Sequence, residues 1–167
     1  MISITPADNK HVSRIFEIEK EAFSPPWSYE ALLGEVGKED SYFIVAEEDG
    51  ADSSRENRPG IANTPDNDSP GVVGYAILRR VGDDGELMKI AVDKSSRLKG
   101  VGDLLMMALL EYSTEKMYNS IFLEVRRSNT AAFRLYEKHG FTTIRIREDY
   151  YIDPVEDAII MARKKVI

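Results

Sequence analysis

The chain contains no cysteine, which excludes a disulfide framework, a thiolate metal site and a cysteine nucleophile. Histidine is nearly as scarce. His11 and His139 are the only two and lie far apart, which argues against a histidine-based metal centre or catalytic triad, so no metal is expected. No apolar run approaches the roughly 20 residues needed to cross a bilayer. The opening MISITPADNK lacks the basic flank and apolar core of a signal peptide. A cytoplasmic protein without membrane contact is expected. Positive charge is also in deficit, with 22 Lys and Arg against 29 Asp and Glu and a net charge of −7. That balance opposes general electrostatic binding to nucleic acid and suits a cationic partner.

A chain of 167 residues can bury one substantial core and is short for two domains, so one domain over 1–167 is expected. ISIT reads as a first strand. Val12, Ile15, Phe16 and Phe23 then recur near helical spacing, closed by Pro25 and Pro26. Ser28 can cap a second helix over SYEALLGEV, and SYFIVAEE is a strand of aromatic and β-branched residues. The stretch 50–71, polar and carrying Pro59, Pro65 and Pro70, reads as a surface loop insertion.

GVVGYAILRR and ELMKIAV follow as strands of a hairpin, with Asp84-Gly85 as the expected turn. The helix after this hairpin presents Val101, Leu104, Leu105, Ala108, Leu109 and Tyr112 as its apolar stripe. SIFLEV is a strand, NTAAFRLYEKHG a helix capped by Asn129 and ended by Gly140, and FTTIRIR and EDAIIMARK are closing strands. The order predicts a mixed α/β fold, a sheet of about seven strands with helices on both faces. It is no repeated βαβ array, which disfavours a dinucleotide-binding fold.

RLKGVG, residues 97–102, joins a strand to a helix. It lacks the lysine and hydroxyl residue that end a P-loop, and Leu105 stands where the dinucleotide fingerprint needs its third glycine. Gly100 and Gly102 would let backbone N–H groups approach a pyrophosphate, with Arg97 and Lys99 adding charge. A plain strand-to-helix turn accounts for the same residues. In SIFLEV, Glu124 shares a strand face with Phe122, opposite Ile121, Leu123 and Val125. A carboxylate in an apolar strand is either a general base held in a cleft or a group on a wet face. Tyr136, seven residues beyond Asn129, returns to nearly the same helix face. It could aim its hydroxyl at the same place or simply belong to the core.

Together, KIAVDKSSRLKGVGDLL, FLEVRRSNTAAFRLYEKHGF and EDAIIM resemble the GNAT superfamily of acetyl-CoA-dependent N-acetyltransferases. The run LEVR-SN-AA--LYE--GF and the pair Pro26-Trp27 are similar to the bacterial ribosomal-protein-alanine N-acetyltransferases within it. The resemblance implies the GNAT fold, a mostly antiparallel twisted sheet. It implies acetyl-CoA as co-substrate, with Ile90, Ala91 and Val92 along the thioester and pantetheine, and with Arg97, Leu98, Lys99, Gly100, Val101, Gly102 and Asp103 around the pyrophosphate. Asn129 would contact the coenzyme, Glu124 would accept a proton and Tyr136 would donate one. Trp27, Tyr29, Tyr150 and Tyr151 fall in segments that resemble the peptide-binding walls.

The implied partner is the basic N-terminus of a ribosomal protein, met by a monomer or weak dimer. A small-molecule amine as acceptor, or a module that binds acetyl-CoA without turnover, are the alternatives. Asp103 departs from the family's often basic or neutral first-turn residue, which would weaken local attraction for phosphate while suiting the helix dipole. The implied chemistry is direct attack of an amine on the thioester, with Glu124 acting as base directly or through a water. The oxyanion would meet backbone N–H groups of residues 90–92, provided a bulge or splay leaves one unpaired. Glu86 is the next candidate base.

Overall fold

The computed structural model describes residues 1–49 and 71–165, so residues 50–70 of the expected polar insertion lie outside the described residues. Among the described residues, four α-helices and seven strands follow in the expected order: β1 (Ile2–Pro6), α1 (Val12–Ala22), α2 (Tyr29–Glu35), β2 (Ser41–Glu48), β3 (Val72–Val81), β4 (Asp84–Val92), α3 (Val101–Glu115), β5 (Ser120–Arg126), α4 (Thr130–Lys138), β6 (Thr142–Ile152) and β7 (Val155–Lys164).

The strands form one sheet in the order β1-β2-β3-β4-β5-β7-β6. Every neighbouring pair is antiparallel except β4 and β5, which run parallel. That parallel step needs a long crossover, and α3 provides it.

Side-chain alternation along the central strands divides the core in two. Ile44, Ala46, Ala76 and Leu78 face α3, with Val101, Leu105, Met106 and Leu109 packed on them. Phe43, Val45, Tyr75 and Ile77 face Val12, Ile15 and Ile18 of α1 and Leu32 of α2. Both faces of β3 are therefore covered, and residues Val72 to Leu78 are all buried.

Two local expectations shift. The β3–β4 turn is made by Gly82 and Asp83, with Val81 opposite Asp84, so Asp84 and Gly85 already belong to β4. Gly82 takes φ 63°, a left-handed conformation that glycine adopts without strain, which fixes the turn there. On α3, Leu104 is 38% exposed and Met106 is buried. Val101, Leu105 and Leu109 are buried as predicted, and the stripe's edge moves from Leu104 to Met106 and Ser113.

Candidate active site

The β4–β5 ladder is short. It pairs Gly85 with Ile121, Glu86 with Phe122 and Leu87 with Leu123, and stops there. Two features pull the strands apart. On the β3 side, the register moves from Ile77–Lys89 to Leu78–Leu87, leaving Met88 as an extra residue that bends β4. On the other side, β5 stays paired with β7 along its whole length, through Glu124–Ile160 to Arg126–Ala158. Residues 88–92 consequently have no β5 partner.

Asp93 N donates to Val73 O at 2.8 Å, so by strand alternation the N–H groups of Val92 and Ile90 face the opening. The splay that the oxyanion reading required is present. A cavity of about 180 Å³ fills it, lined by Lys89, Ile90, Glu124, Asn129, Tyr136 and Tyr151 and walled by Phe23, Ser24 and Pro25 of the α1–α2 loop.

Glu124 projects from the solvent-facing side of β5, its side chain 33% exposed and 3.4 Å from the Arg147 guanidinium. It is a wet carboxylate in a cleft, not one sunk in the core. Tyr150 hydrogen-bonds to it, and this bond, with burial and the carboxylate's charge behind it, raises the phenol's pKa. Tyr151 is pushed up to about 12, by burial first and by Glu124 second.

Tyr136 is held by the way α4 ends. Gly140, at φ 84°, lets Gly140 N bond to Glu137 O and Phe141 N bond to Tyr136 O, each at 3.0 Å. That paired closure brings Phe141 against Tyr136, ring centroids 6.0 Å apart. The Tyr136 ring is only 6% exposed, and its hydroxyl has no hydrogen-bond partner among the described residues. Burial pushes its pKa far above the ordinary phenol value, with Tyr151 adding to the shift. At the start of α4, Asn129 Oδ1 accepts from Ala132 N at 3.2 Å.

The loop before α3 is shaped to receive an anion. The first intrahelical bond is Leu104 N to Gly100 O, 3.1 Å, so the amides of Val101, Gly102 and Asp103 have no acceptor within the helix. No side chain caps them, because the capping position is Gly100 at φ 82°. A Cβ on Gly102 would come 3.3 Å from the Leu135 side chain. Leu98 and Lys99 are exposed, Ala91 is buried, and Arg97 Nε bonds back to Val92 O at 3.1 Å. These features fit a pyrophosphate over the helix start.

Asp103 does not confront that site as a free charge. Its Oδ1 lies 2.8 Å from both Lys138 Nζ and His139 Nε2. The hydrogen bonds from Lys138 and His139 hold its carboxyl below the usual carboxylate range. A group with a lowered folded pKa stabilises the protein above its unfolded pKa, and that contribution fades as pH falls through the folded value. Asp103→Asn is therefore expected to cost under about 1 kcal/mol at pH 7, given partial exposure. In urea unfolding, the difference from the wild-type chain should vanish well below a pH of about 4.

The remaining expected residues are dispersed. Trp27 lines a separate hollow with Ser28, Glu30 and Arg79, and Tyr29 packs edge-on to Phe16 at 6.0 Å. Tyr150 opens onto a basic hollow with Arg127, Arg145 and Arg147. Glu86 does not line the cleft. It is paired with Phe122, one step from the closed end of the ladder.

Sequence reasoning missed a buried polar cluster behind the cleft. Glu19 is fully buried and accepts from Trp27 N at 2.7 Å, from Lys89 Nζ at 2.9 Å and from the Tyr75 hydroxyl. Its signal was present: Glu19 sits four residues after Ile15 and seven after Val12, on α1's apolar stripe, and Lys89 interrupts an apolar strand.

Residues 12–141 match the Acetyltransferase (GNAT) family. The chain belongs to the GNAT acetyltransferase family. It is 34% identical over 152 residues to the [ribosomal protein bS18]-alanine N-acetyltransferase of Haemophilus influenzae, covering 89% of each chain. The crystal structure of the ribosomal-protein-S18-alanine N-acetyltransferase from Escherichia coli superposes with a TM-score of 0.79 at 29% identity, over 100% of this chain and 96% of that one. Ard1 from Thermoplasma volcanium shares the fold, with a TM-score of 0.81 at 24% identity over 99% of both chains. The mixed, mostly antiparallel sheet is thus the GNAT fold, and among the described residues no helix is long and apolar enough to cross a membrane.

Proposed function

We propose that this GNAT enzyme is an N-terminal α-amino acetyltransferase, moving an acetyl group from acetyl-CoA to the first residue, alanine, of a small-subunit ribosomal protein in the cytoplasm. The observation that carries the chemistry is the β4–β5 splay, where unpaired strand amides open beside Glu124 and Tyr136. The acceptor follows from relatives named for that substrate at 31% and 34% identity over about nine-tenths of this chain. A net charge of −7 suits the basic N-terminal segment of a ribosomal protein.

Acetyl-CoA supplies the acetyl group as a thioester. The free amides of Val101, Gly102 and Asp103 hold the pyrophosphate, and Asn129 and the strand residues 90–92 border the acyl arm. A peptide α-amino group has a pKa of about 7.7 to 8.0, so much of it is protonated at neutral pH. Glu124 takes that proton, directly or through a water, and frees the amine to attack. The N–H groups of Ile90 and Val92 stabilise the oxygen as it gains charge. Tyr136, neutral throughout the working range, donates its hydrogen bond to the departing sulfur. With its pKa raised, complete transfer of that proton to a thiolate near 8.5 is well uphill, so as the C–N bond forms and the C–S bond breaks, the second proton shed by the nitrogen is the one that neutralises the departing sulfur.

Tyr136→Phe is therefore expected to lower kcat by about 10- to 100-fold, the scale of a hydrogen bond to a charged group. Initial-rate measurements from pH 6 to 9 should show no new ionisation in the variant. The acceptor is tested with short peptides differing in their first residue, alongside free polyamines and amino acids. An alanine-initiated ribosomal peptide should be turned over far faster than any free amine, and the reverse order would assign the enzyme to small molecules.

A further inference from the structure

Arg126 is the last residue of β5 and borders the cleft, yet nothing in the chemistry above uses it. Its guanidinium spans the cleft mouth. Nη2 donates to Ser24 O of the α1–α2 loop at 2.8 Å and to Asp153 O at 3.2 Å. Nη1 donates to Pro154 O at 3.1 Å and meets Glu156 Oε2 at 3.3 Å, and the guanidinium lies over the Tyr151 ring, 4.1 Å from its centroid. The β6–β7 turn is held a second time, because Glu156 also accepts from Ser128 N. The α1–α2 loop is anchored to Glu19 through Trp27 N but has no second tie to this wall. Among the described residues, no other hydrogen bond joins residues 23–27 to the β6–β7 turn.

We propose that Arg126 is a positioning residue that ties the two walls of the acceptor entrance together and so sets which first residues can enter. This rests on the cleft being the acceptor site. Nη2 reaches a carbonyl on each wall because Nη1, on Pro154 O and Glu156, and the planar face over Tyr151 fix the fork's direction; a lysine, with one ammonium on a flexible stem, has no second nitrogen to aim it. With the fork in place, the mouth opens onto about 180 Å³, which the acetyl group and the first side chain have to share. Without it, the α1–α2 loop loses its tie to the opposite wall. The helix start that receives the pyrophosphate lies outside this arrangement.

The test is steady-state kinetics of Arg126→Ala and Arg126→Lys with peptides beginning in alanine and in leucine, with acetyl-CoA affinity measured by calorimetry. Both variants should raise KM for the alanine peptide by about tenfold or more, the effect of losing charged hydrogen bonds. They should lower kcat less than about threefold, leave acetyl-CoA affinity unchanged, and narrow the preference for alanine over leucine. Hydrogen exchange should quicken at residues 23–27 in both variants. An Arg126→Lys enzyme that matches the wild type in KM and selectivity overturns the proposal, as does a loss confined to kcat. A wild-type enzyme that acetylates no peptide overturns the acceptor reading, and this inference falls with it. An active wild type with unchanged variants overturns this inference alone.

Discussion

Glu124→Gln is expected to lower the acetyl-transfer rate by about 10² to 10⁴, the usual worth of a general base, while acetyl-CoA binding is retained. Glutamine keeps the shape and one acceptor oxygen of the carboxylate, so the Tyr150 hydroxyl beside it can still donate. What glutamine cannot do is take a proton from the amine. The residual rate should therefore follow the fraction of amine already deprotonated in solution, climbing through a pH of about 8. The coenzyme amides lie on the α3 side, remote in sequence from the substitution, so calorimetry should return an unchanged affinity. Full turnover by the variant would remove Glu124 from the reaction. Glu86 offers no ready replacement, since it lies outside the cleft, in the closed part of the β4–β5 ladder.

The fold was legible because its signals are local. Asn129 and Ser28 cap their helices as their side chains predict, and alternation in β5 puts Ile121, Leu123 and Val125 inside and Glu124 outside. The hairpin turn went astray by two residues because Gly82, with its positive φ, outcompetes the Asp84-Gly85 pair. Glu124 and Tyr136 could be singled out as an outward carboxylate and a tyrosine on a capped helix. The splay that joins them was not legible, because it arises where β5 keeps β7 as its partner and β4 bends at Met88. That competition is between strands far apart in sequence. The same holds for Asp103, which looked like a local repulsion until Lys138 and His139 came round from the end of α4 to meet it.

Glu19→Ala is expected to destabilise the fold by about 3–5 kcal/mol, the cost of removing one partner from a buried ion pair. That is a large part of the 5–15 kcal/mol typical of a domain. Three groups lose their acceptor together: the Lys89 ammonium, the Tyr75 hydroxyl and the Trp27 amide. Tyr75 cannot relieve the loss by ionising, since burial pushes its pKa far up. Lys89 is the costly survivor. Its side chain is 10% exposed, and although it packs 3.8 Å over the centre of the Phe23 ring, it would have no counter-ion. Removing the charge as well should recover much of the stability, so Glu19→Ala with Lys89→Met is expected to unfold at higher urea than Glu19→Ala alone. Additive losses in that cycle would show that the two residues are not coupled. Because Glu19 holds Trp27 N and Lys89 lines the cleft, the single variant should also loosen the acceptor wall. Its KM for the peptide should then rise at temperatures where it is still folded, which ties a core carboxylate on α1 to the working shape of the site.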